Sequence, residues 1–263
     1  MLVGSACLIS WWLTSPQVKA ISLHNYYDYS CIPADVSTAA PTLSLLMVTP
    51  TRAIDVAESL CLSDAVSKHY GRVNVSWKPR TQLDASDLIN ERYDLIWNRE
   101  HFLRGLQPDF ATYYESLLHF DNYRVFWLSL KSAPVMSAEY FQNKRVGLLD
   151  DPSSHTHHVL PLTSLRLHQI PESVYSIIYF NDASALYHSF LNGDIDLISG
   201  GATMFPAEQI YTAKLTDNAT AATFFIRRAL QNQSIRCELI NALSMLESLW
   251  HGIESHPEKT AEC

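Results

Sequence analysis

The stretch that most constrains this chain is Asp150-Asp151-Pro152-Ser153-Ser154-His155-Thr156-His157-His158-Val159-Leu160-Pro161. A short apolar run, Arg145-Val146-Gly147-Leu148-Leu149, precedes it and reads as a buried strand. Leu162, Leu165, Leu167 and Ile170 follow at helical spacing and predict a helix with one apolar face. A strand, a polar turn and a helix start together bring free backbone N–H groups and small hydroxyls to one point, which suits an anionic or strongly polar small molecule. Ser154 and Thr156 are the hydroxyls placed there. Each is either a ligand contact or a cap for the helix behind it.

The chain before this stretch alternates strand and helix. Leu43 to Val48 reads as a strand stopped by Thr49-Pro50, and Ile54 to Val66 as a helix. Val73 to Trp77 is a second strand, Asp84 to Arg92 a short capped helix, Asp94 to Trp97 a third strand, and Glu100 to Leu106 a helical turn or two. Such alternation favours a parallel α/β sheet, in which ligands sit beyond the carboxyl ends of the strands. Thr49, Trp77, Asn98 and Arg99 stand at those ends. Arg99 suits a two-point grip on a carboxylate or oxyanion, or else a surface ion pair with Glu100.

A long apolar strand, Tyr123 to Leu130, is broken by Lys131-Ser132-Ala133-Pro134. After the opening stretch come a strand from Val174 to Tyr179, a helix from Ala183 to Leu191, and a strand from Ile195 running into Ser199-Gly200-Gly201. Thr223 to Ile226 and Ile235 to Trp250 complete the pattern as a strand and a helix. This layout predicts one lobe from 43–130 with 202–251 and a second from 131–201. The crossings fall near Leu130-Ser132 and Ser199-Gly201, making Lys131, Ser132, Gly200 and Gly201 the expected hinge. A cleft between lobes is a preferred small-molecule site, and hinge closure is its usual motion.

Residues 21–42 read as an N-terminal extension and 252–263 as a polar tail. Leu2 to Leu13 is apolar, too short to span a bilayer comfortably, and followed by Val18-Lys19-Ala20. Residues 1–20 therefore read as a signal peptide and direct the chain to the periplasm. Cys31, Cys61, Cys237 and Cys263 then remain, and an oxidising compartment allows three pairings among them. A Cys31–Cys61 bond would pin the extension to the first helix.

Composition excludes several classes. The 263 residues carry 19 basic against 27 acidic side chains, net −8, without a basic block, which argues against nucleic acid as a partner. No Gly-x-Ser-x-Gly elbow, His-x-x-x-His metal motif or Gly-Lys-Ser/Thr phosphate loop is present, so no enzyme and no cofactor is expected. His155, His157 and His158 are adjacent on a helix start and do not readily converge on one metal ion. Polar contact with a ligand, or a solvated cleft lip, is the expected role, with charge gained toward lower pH favouring an anion.

From Tyr123 to Gly201 the residues resemble the phosphonate-type periplasmic solute-binding proteins. The family pattern of a strand, a Lys-Ser-Pro-like hinge, Leu-Lys-Gly-Lys-Arg-Val, and then Asp-Pro-x-Ser-Thr-Ser-Gly with Pro four residues on is matched in order. Here it reads Leu130-Lys131-Ser132-Ala133-Pro134, Phe141-Gln142-Asn143-Lys144-Arg145-Val146, and Asp151-Pro152-Ser153-Ser154-His155-Thr156-His157 with Pro161. Leu191 to Asp196 resembles the family's Leu-x-Asn-Gly-x-Val-Asp, and Asp94 to Trp97 its Asp-hydrophobic-x-Trp strand. The resemblance implies an α/β, two-lobed type II periplasmic-binding-protein fold with two hinge crossings and a central cleft.

The function implied is capture of a small polar, anionic solute by a monomer that delivers it to the membrane permease of an ABC transporter. The alternative is a periplasmic receptor that docks on a membrane sensor kinase or diguanylate cyclase. The resemblance places Ser154, His155, Thr156, His157 and Asp182 at the ligand, with the aromatic Phe102 opposite, and Arg99 and Thr49 join them from the strand ends. Trp77 joins that wall, and Trp97 falls to the core. The chain departs from the family at His157, which replaces Gly. It departs again at Asn181-Asp182-Ala183-Ser184, which replaces Gly-Ser-His-Asp. A carboxylate at Asp182 opposes a phosphonate dianion.

Overall fold

The computed structural model describes residues 27–34, 40–120, 122–202, 205, 210–250, 255–257 and 263. Its strands are β1 (Asp28–Cys31), β2 (Thr42–Leu46), β3 (Arg72–Ser76), β4 (Leu95–Asn98), β5 (Tyr114–Phe120), β6 (Tyr123–Ser129), β7 (Lys144–Leu149), β8 (Tyr175–Phe180), β9 (Ile198–Gly200), β10 (Tyr211–Ala219), β11 (Thr223–Arg227) and β12 (Ser255–Pro257). One seven-stranded sheet has the order β1-β3-β2-β4-β11-β5-β12. The parallel register of β3, β2 and β4 forms its centre, as the alternation of strand and helix predicts, and antiparallel strands flank that centre on both sides. Central strands buried on both faces are apolar on both. Leu43, Leu45, Val73, Val75 and Leu95 fill one side, while Leu46 and Ile96 pack with Leu88, Leu103 and Phe110 on the other.

The first helical stretch is two helices, α1 (Ala53–Cys61) and α2 (Asp64–Ser67). Ser63 breaks the expected continuous helix because its Oγ accepts from the Val66 N–H and caps a new start. Further on, α3 (Ala85–Ile89) opens with Asp84 and Asp87 in a capping box. The α4 helix (Glu100–Leu106) follows β4 directly, with Arg99 at its N-cap position.

The second lobe contains β10-β6-β9 and the parallel pair β7-β8, linked by a bridge between Val146 and Leu197. Here α5 (Ala138–Phe141), α6 (Leu160–Leu167) and α7 (Ala183–Leu191) cover the strands. Gly147 allows the close approach of α7: a Cβ there would lie 2.3 Å from Ile195 Cδ1 and 2.7 Å from Leu186 Cδ1. The last long helix, α8 (Gln233–Ser244), returns to the first lobe, where Ile235, Leu239 and Leu243 join its core.

The crossings differ from the sequence expectation. Tyr123 and Val125 of β6 lie in the first lobe's core, whereas Trp127 and Leu128 lie in the second's. Antiparallel β10 returns beside it, so these two strands make the crossings, and β10 is not confined to the first lobe. Their register shifts at Lys214/Thr216 and Thr216/Ala219, along the passage between cores, where bulges let a strand bend. Asn122 Nδ2 donates to Asn218 Oδ1 at 2.5 Å at the first-lobe end. Lys131, Ser132 and Gly200 are therefore inside the second lobe. Lys131 Nζ pairs with Asp196 at 2.8 Å, the Ser132 carbonyl accepts from Tyr140, and Gly200 pairs in register with Phe126. The break after Leu130 marks the end of a crossing strand, not the crossing itself.

Asp196 holds this part of the second lobe together, accepting from the Arg145 backbone at 3.0 Å and pairing with the Arg145 side chain and Lys131. Burial pushes its carboxyl up, but hydrogen bonds from Arg145 and Lys131 overcome that and hold it well below the usual carboxylate range. In the unfolded chain an aspartate ionises near pH ~3.9. The stabilisation is therefore full above that pH and is lost as pH falls toward the depressed folded value. Asp196→Asn is expected to lower stability near neutrality and to flatten the acid limb in urea unfolding from pH 6 to pH 2. Identical acid limbs for the two proteins would count against this.

Two disulfides close two of the alternatives left by the cysteine count. Cys31 bonds Cys61, tying β1 to the end of α1, and Cys237 bonds Cys263, tying the C-terminal residue to α8. Part of the polar tail is ordered as β12 against β5. The expected signal peptide at 1–20 lies outside the described residues.

Candidate ligand cleft

Strand ends from both lobes converge on one cavity of about 130 Å³. The first lobe contributes Thr49 after β2, Trp77 to Arg80 after β3, and Arg99 after β4. The second contributes Asp150, Asp151 and Ser154 to His157 after β7, then Asn181 to Ser184 and Tyr187 after β8. Tyr123 and Gly201 also line it.

The turn into α6 takes an unusual form. Residues His155–Val159 make a π-helical turn in which the Ser154 carbonyl accepts from both His158 at 3.1 Å and Val159 at 3.0 Å. Pro161 near the start of α6 has no N–H for the carbonyl four residues back and its ring crowds that carbonyl; the wider π turn relieves both problems. Ser154 Oγ accepts from the His157 N–H at 3.3 Å, so the cap reading of that hydroxyl holds. His158 turns away from the cavity to donate from Nδ1 to the Leu149 carbonyl at 2.6 Å. The backbone N–H groups of His155 and Thr156 meet no acceptor among the described residues outside the helix.

Several side chains bridge the lobes directly. Arg80 Nη1 reaches Asp151 Oδ2 at 2.8 Å, with side-chain exposures of 13% and 17%. Tyr123 on the crossing strand shares a 2.5 Å hydrogen bond with Thr156 Oγ1, and the Thr156 carbonyl accepts from Ser199 Oγ at 2.5 Å. Tyr187 OH lies 2.9 Å from His157 Nε2 and also meets Thr49 across the cleft. Sequence reading missed Arg80, Tyr123 and Tyr187. Arg80 was discoverable from the strand-end rule, since it follows Trp77 by three residues. Tyr187 shared a helix face with Ala183, four residues earlier.

Electrostatics separate the charged residues. Arg99 is 7% exposed; its Nη2 donates to the Thr220 carbonyl at 2.7 Å, while its buried Nε has no hydrogen-bond partner. Burial lowers its pKa, and among the described residues no carboxylate pairs with it, so the alternative of an ion pair with Glu100 does not hold. Glu100 instead pairs with Arg104. Burial lowers His155 as well, with Arg99 adding to the effect. Burial drives His157 down to about 4, and its buried Nδ1 has no hydrogen-bond partner among the described residues. The expectation that these histidines charge as pH falls modestly below neutral is corrected for His157, because its buried ring has too little solvation for the cation.

Phe102 is not in the cleft. It packs on the far side of the first sheet with Leu103 and Phe110, because α4 turns that face toward the second core cluster. Asp182 lines the cavity, and its Oδ1 caps α7 by accepting from Ala185 N at 2.8 Å. Trp97 lies at the cavity floor while stacking on Phe224 with ring centroids 4.9 Å apart. Among the described residues, no group of three or more His, Cys, Asp or Glu side chains forms a metal centre.

The chain has the α/β, two-lobed type II periplasmic-binding-protein fold, with the cavity between its lobes. Among solved structures it is similar to PhnD1 from Prochlorococcus marinus in complex with methylphosphonate, at 10% identity and a TM-score of 0.56, covering 86% of this chain and 96% of that one. It is also similar to an ABC transporter periplasmic substrate-binding protein from Coxiella burnetii, at 16% identity and a TM-score of 0.50, covering 83% and 100%. At such identities the likeness shows the fold. No family model matches the chain, and no curated protein matches it by sequence.

Proposed function

We propose that this chain is a solute-binding protein whose lobes close on a small molecule bearing a carboxylate or similar oxyanion and present it to an ABC-transporter permease. Arg99 carries the reading: a buried cation at a cavity wall, with no carboxylate partner among the described residues. An unpaired buried charge is costly, and an anionic guest offsets that cost. The unengaged N–H groups of His155 and Thr156 at a helix start add donors for the same guest. A cavity of about 130 Å³ is on the scale that holds a molecule of about five or six non-hydrogen atoms, which suits a small solute.

Polar side chains of the cleft are engaged with one another, across the lobes as in Arg80–Asp151 and within the second lobe as in Tyr187–His157, which supports binding without covalent chemistry. Two disulfides support an oxidising compartment such as the periplasm. Among the described residues no helix is long and apolar enough to cross a membrane.

A thermal-shift screen against carboxylates, phosphonates, amino acids, polyamines and divalent metals tests the proposal. An acid-bearing solute at 100 times its Kd is expected to add about 2.7 kcal/mol, a shift of several degrees. Stabilisation by cations alone would overturn the anion assignment.

A further inference from the structure

Charge pairing within the cavity narrows the class of guest, on the reading that the cleft binds an anion-bearing solute at Arg99. Three basic side chains line it, Lys78, Arg80 and Arg99, and three carboxylates, Asp150, Asp151 and Asp182. Lys78 is committed to Asp87 at 3.3 Å. Arg80 is committed to Asp151, whose other oxygen accepts from Ser153 N at 3.0 Å and Ser153 Oγ at 2.5 Å. Of the three basic side chains, Arg99 on the first lobe is the cation with no carboxylate at ion-pair distance among the described residues, although Tyr123 hydrogen-bonds it and Asp151 attracts it from further off. Two carboxylates remain on the second lobe. Neither Asp150 nor Asp182 has a basic partner among the described residues.

The two carboxylates are neighbours for a structural reason. Strands β7 and β8 are parallel with Leu149 beside Phe180, so the chains leave the sheet together as Asp150 and as Asn181-Asp182. The Asp150 N–H donates to the Phe180 carbonyl at 2.8 Å and keeps the two ends together. A phosphonate or phosphate dianion would set two negative charges against that one cation and beside two carboxylates. A monocarboxylate satisfies Arg99 and leaves the opposite wall without a counter-charge.

We infer that the cleft selects a small zwitterion, its oxyanion held by Arg99 and its ammonium or quaternary nitrogen met by Asp182, with Asp150 at the more exposed rim. A guest of this kind ties its two charges to different lobes, so its binding energy is spent on closure. Half-buried Trp77 provides an apolar wall for the carbon skeleton.

The test uses the full chain and titration calorimetry with amino acids and betaines, their counterparts lacking the nitrogen, and methylphosphonate. The expected result is a zwitterion that binds at least about 100-fold more tightly than the matched monocarboxylate. Asp182→Asn keeps an oxygen to cap α7. It is expected to weaken the zwitterion about 10-fold or more while leaving the monocarboxylate unchanged or slightly tighter. Equal binding of zwitterion and monocarboxylate, with Asp182→Asn silent for both, overturns the inference but leaves the anion site standing. Methylphosphonate binding more tightly than any zwitterion overturns it in the same way. If no acid-bearing probe binds at all, the anion site fails and the inference with it.

Discussion

Arg99→Met is expected to weaken solute binding by roughly 30-fold or more while leaving the free protein folded and close to the parent in stability. Methionine approximates the length of the arginine stem and carries no charge. The residue is 7% exposed, its Nε has no hydrogen-bond partner, and burial already disfavours its cation. Removing a buried cation relieves its desolvation cost, which offsets the loss of the hydrogen bonds it makes. Its hydrogen bonds to the Thr220 carbonyl and to Tyr123 are lost; Thr220 is exposed and water replaces that donor, while the Tyr123 hydroxyl keeps its hydrogen bond with Thr156. Binding falls much further, because a desolvated charge pair between guest and Arg99 is worth about 2–5 kcal/mol, a loss of roughly 30-fold to several-thousand-fold. Melting curves with and without solute read both effects. A variant that melts much lower when free yet binds as before would show that Arg99 serves packing only.

The largest effect on stability is expected from the first disulfide. Cys31 and Cys61 are 30 residues apart in sequence. Closing a loop of that length restricts the unfolded chain by about 3–4 kcal/mol in the chain-entropy picture. The bond also secures β1, which among the described residues pairs only with β3 at the edge of the sheet. The Cys31→Ser, Cys61→Ser double variant is expected to lose about 2–5 kcal/mol in denaturant unfolding. Because neither cysteine lines the cavity, solute affinity should change little at temperatures where the variant remains folded. Reduction of the parent protein by a thiol reagent should produce a similar drop, with a contribution from Cys237–Cys263 added. A loss under about 1 kcal/mol would mean that β1 holds without its covalent tie.

The parts of this fold legible in the sequence are those where local chemistry repeats tertiary chemistry. Apolar runs such as Leu43 to Val48 and Asp94 to Trp97 are buried on both faces, so their pattern matches their environment. The Asp-Pro turn and Ser154 announce a helix start, and the cavity does open there. What could not be read depends on pairings between distant residues. Strand β6 looks like any buried strand, and only its partner β10 reveals that it passes from one core to another. Strand β10 has charged and polar residues at many positions and carries no strong period-two signal, because its register shifts twice.

The site divides along the same line. Arg99 and Thr49 followed from the strand-end rule, and Ser154 to His157 with Asp182 from the resemblance. Arg80 and Tyr187 become site residues through partners 71 and 30 positions away in sequence. Phe102 was misplaced because a helix of seven residues has two faces, and spacing alone does not say which one meets the cleft.

The central claim is that the cleft holds one small acid-bearing solute at Arg99. Native mass spectrometry of the protein purified without unfolding tests it most directly, followed by the same measurement after unfolding, refolding and addition of the best solute from the screen. The predicted result is one bound small molecule per chain, carrying an acid group, removed by unfolding, restored on addition and absent from Arg99→Met. Retention of the same adduct by Arg99→Met, or a bare protein that no acid-bearing solute loads, would contradict it.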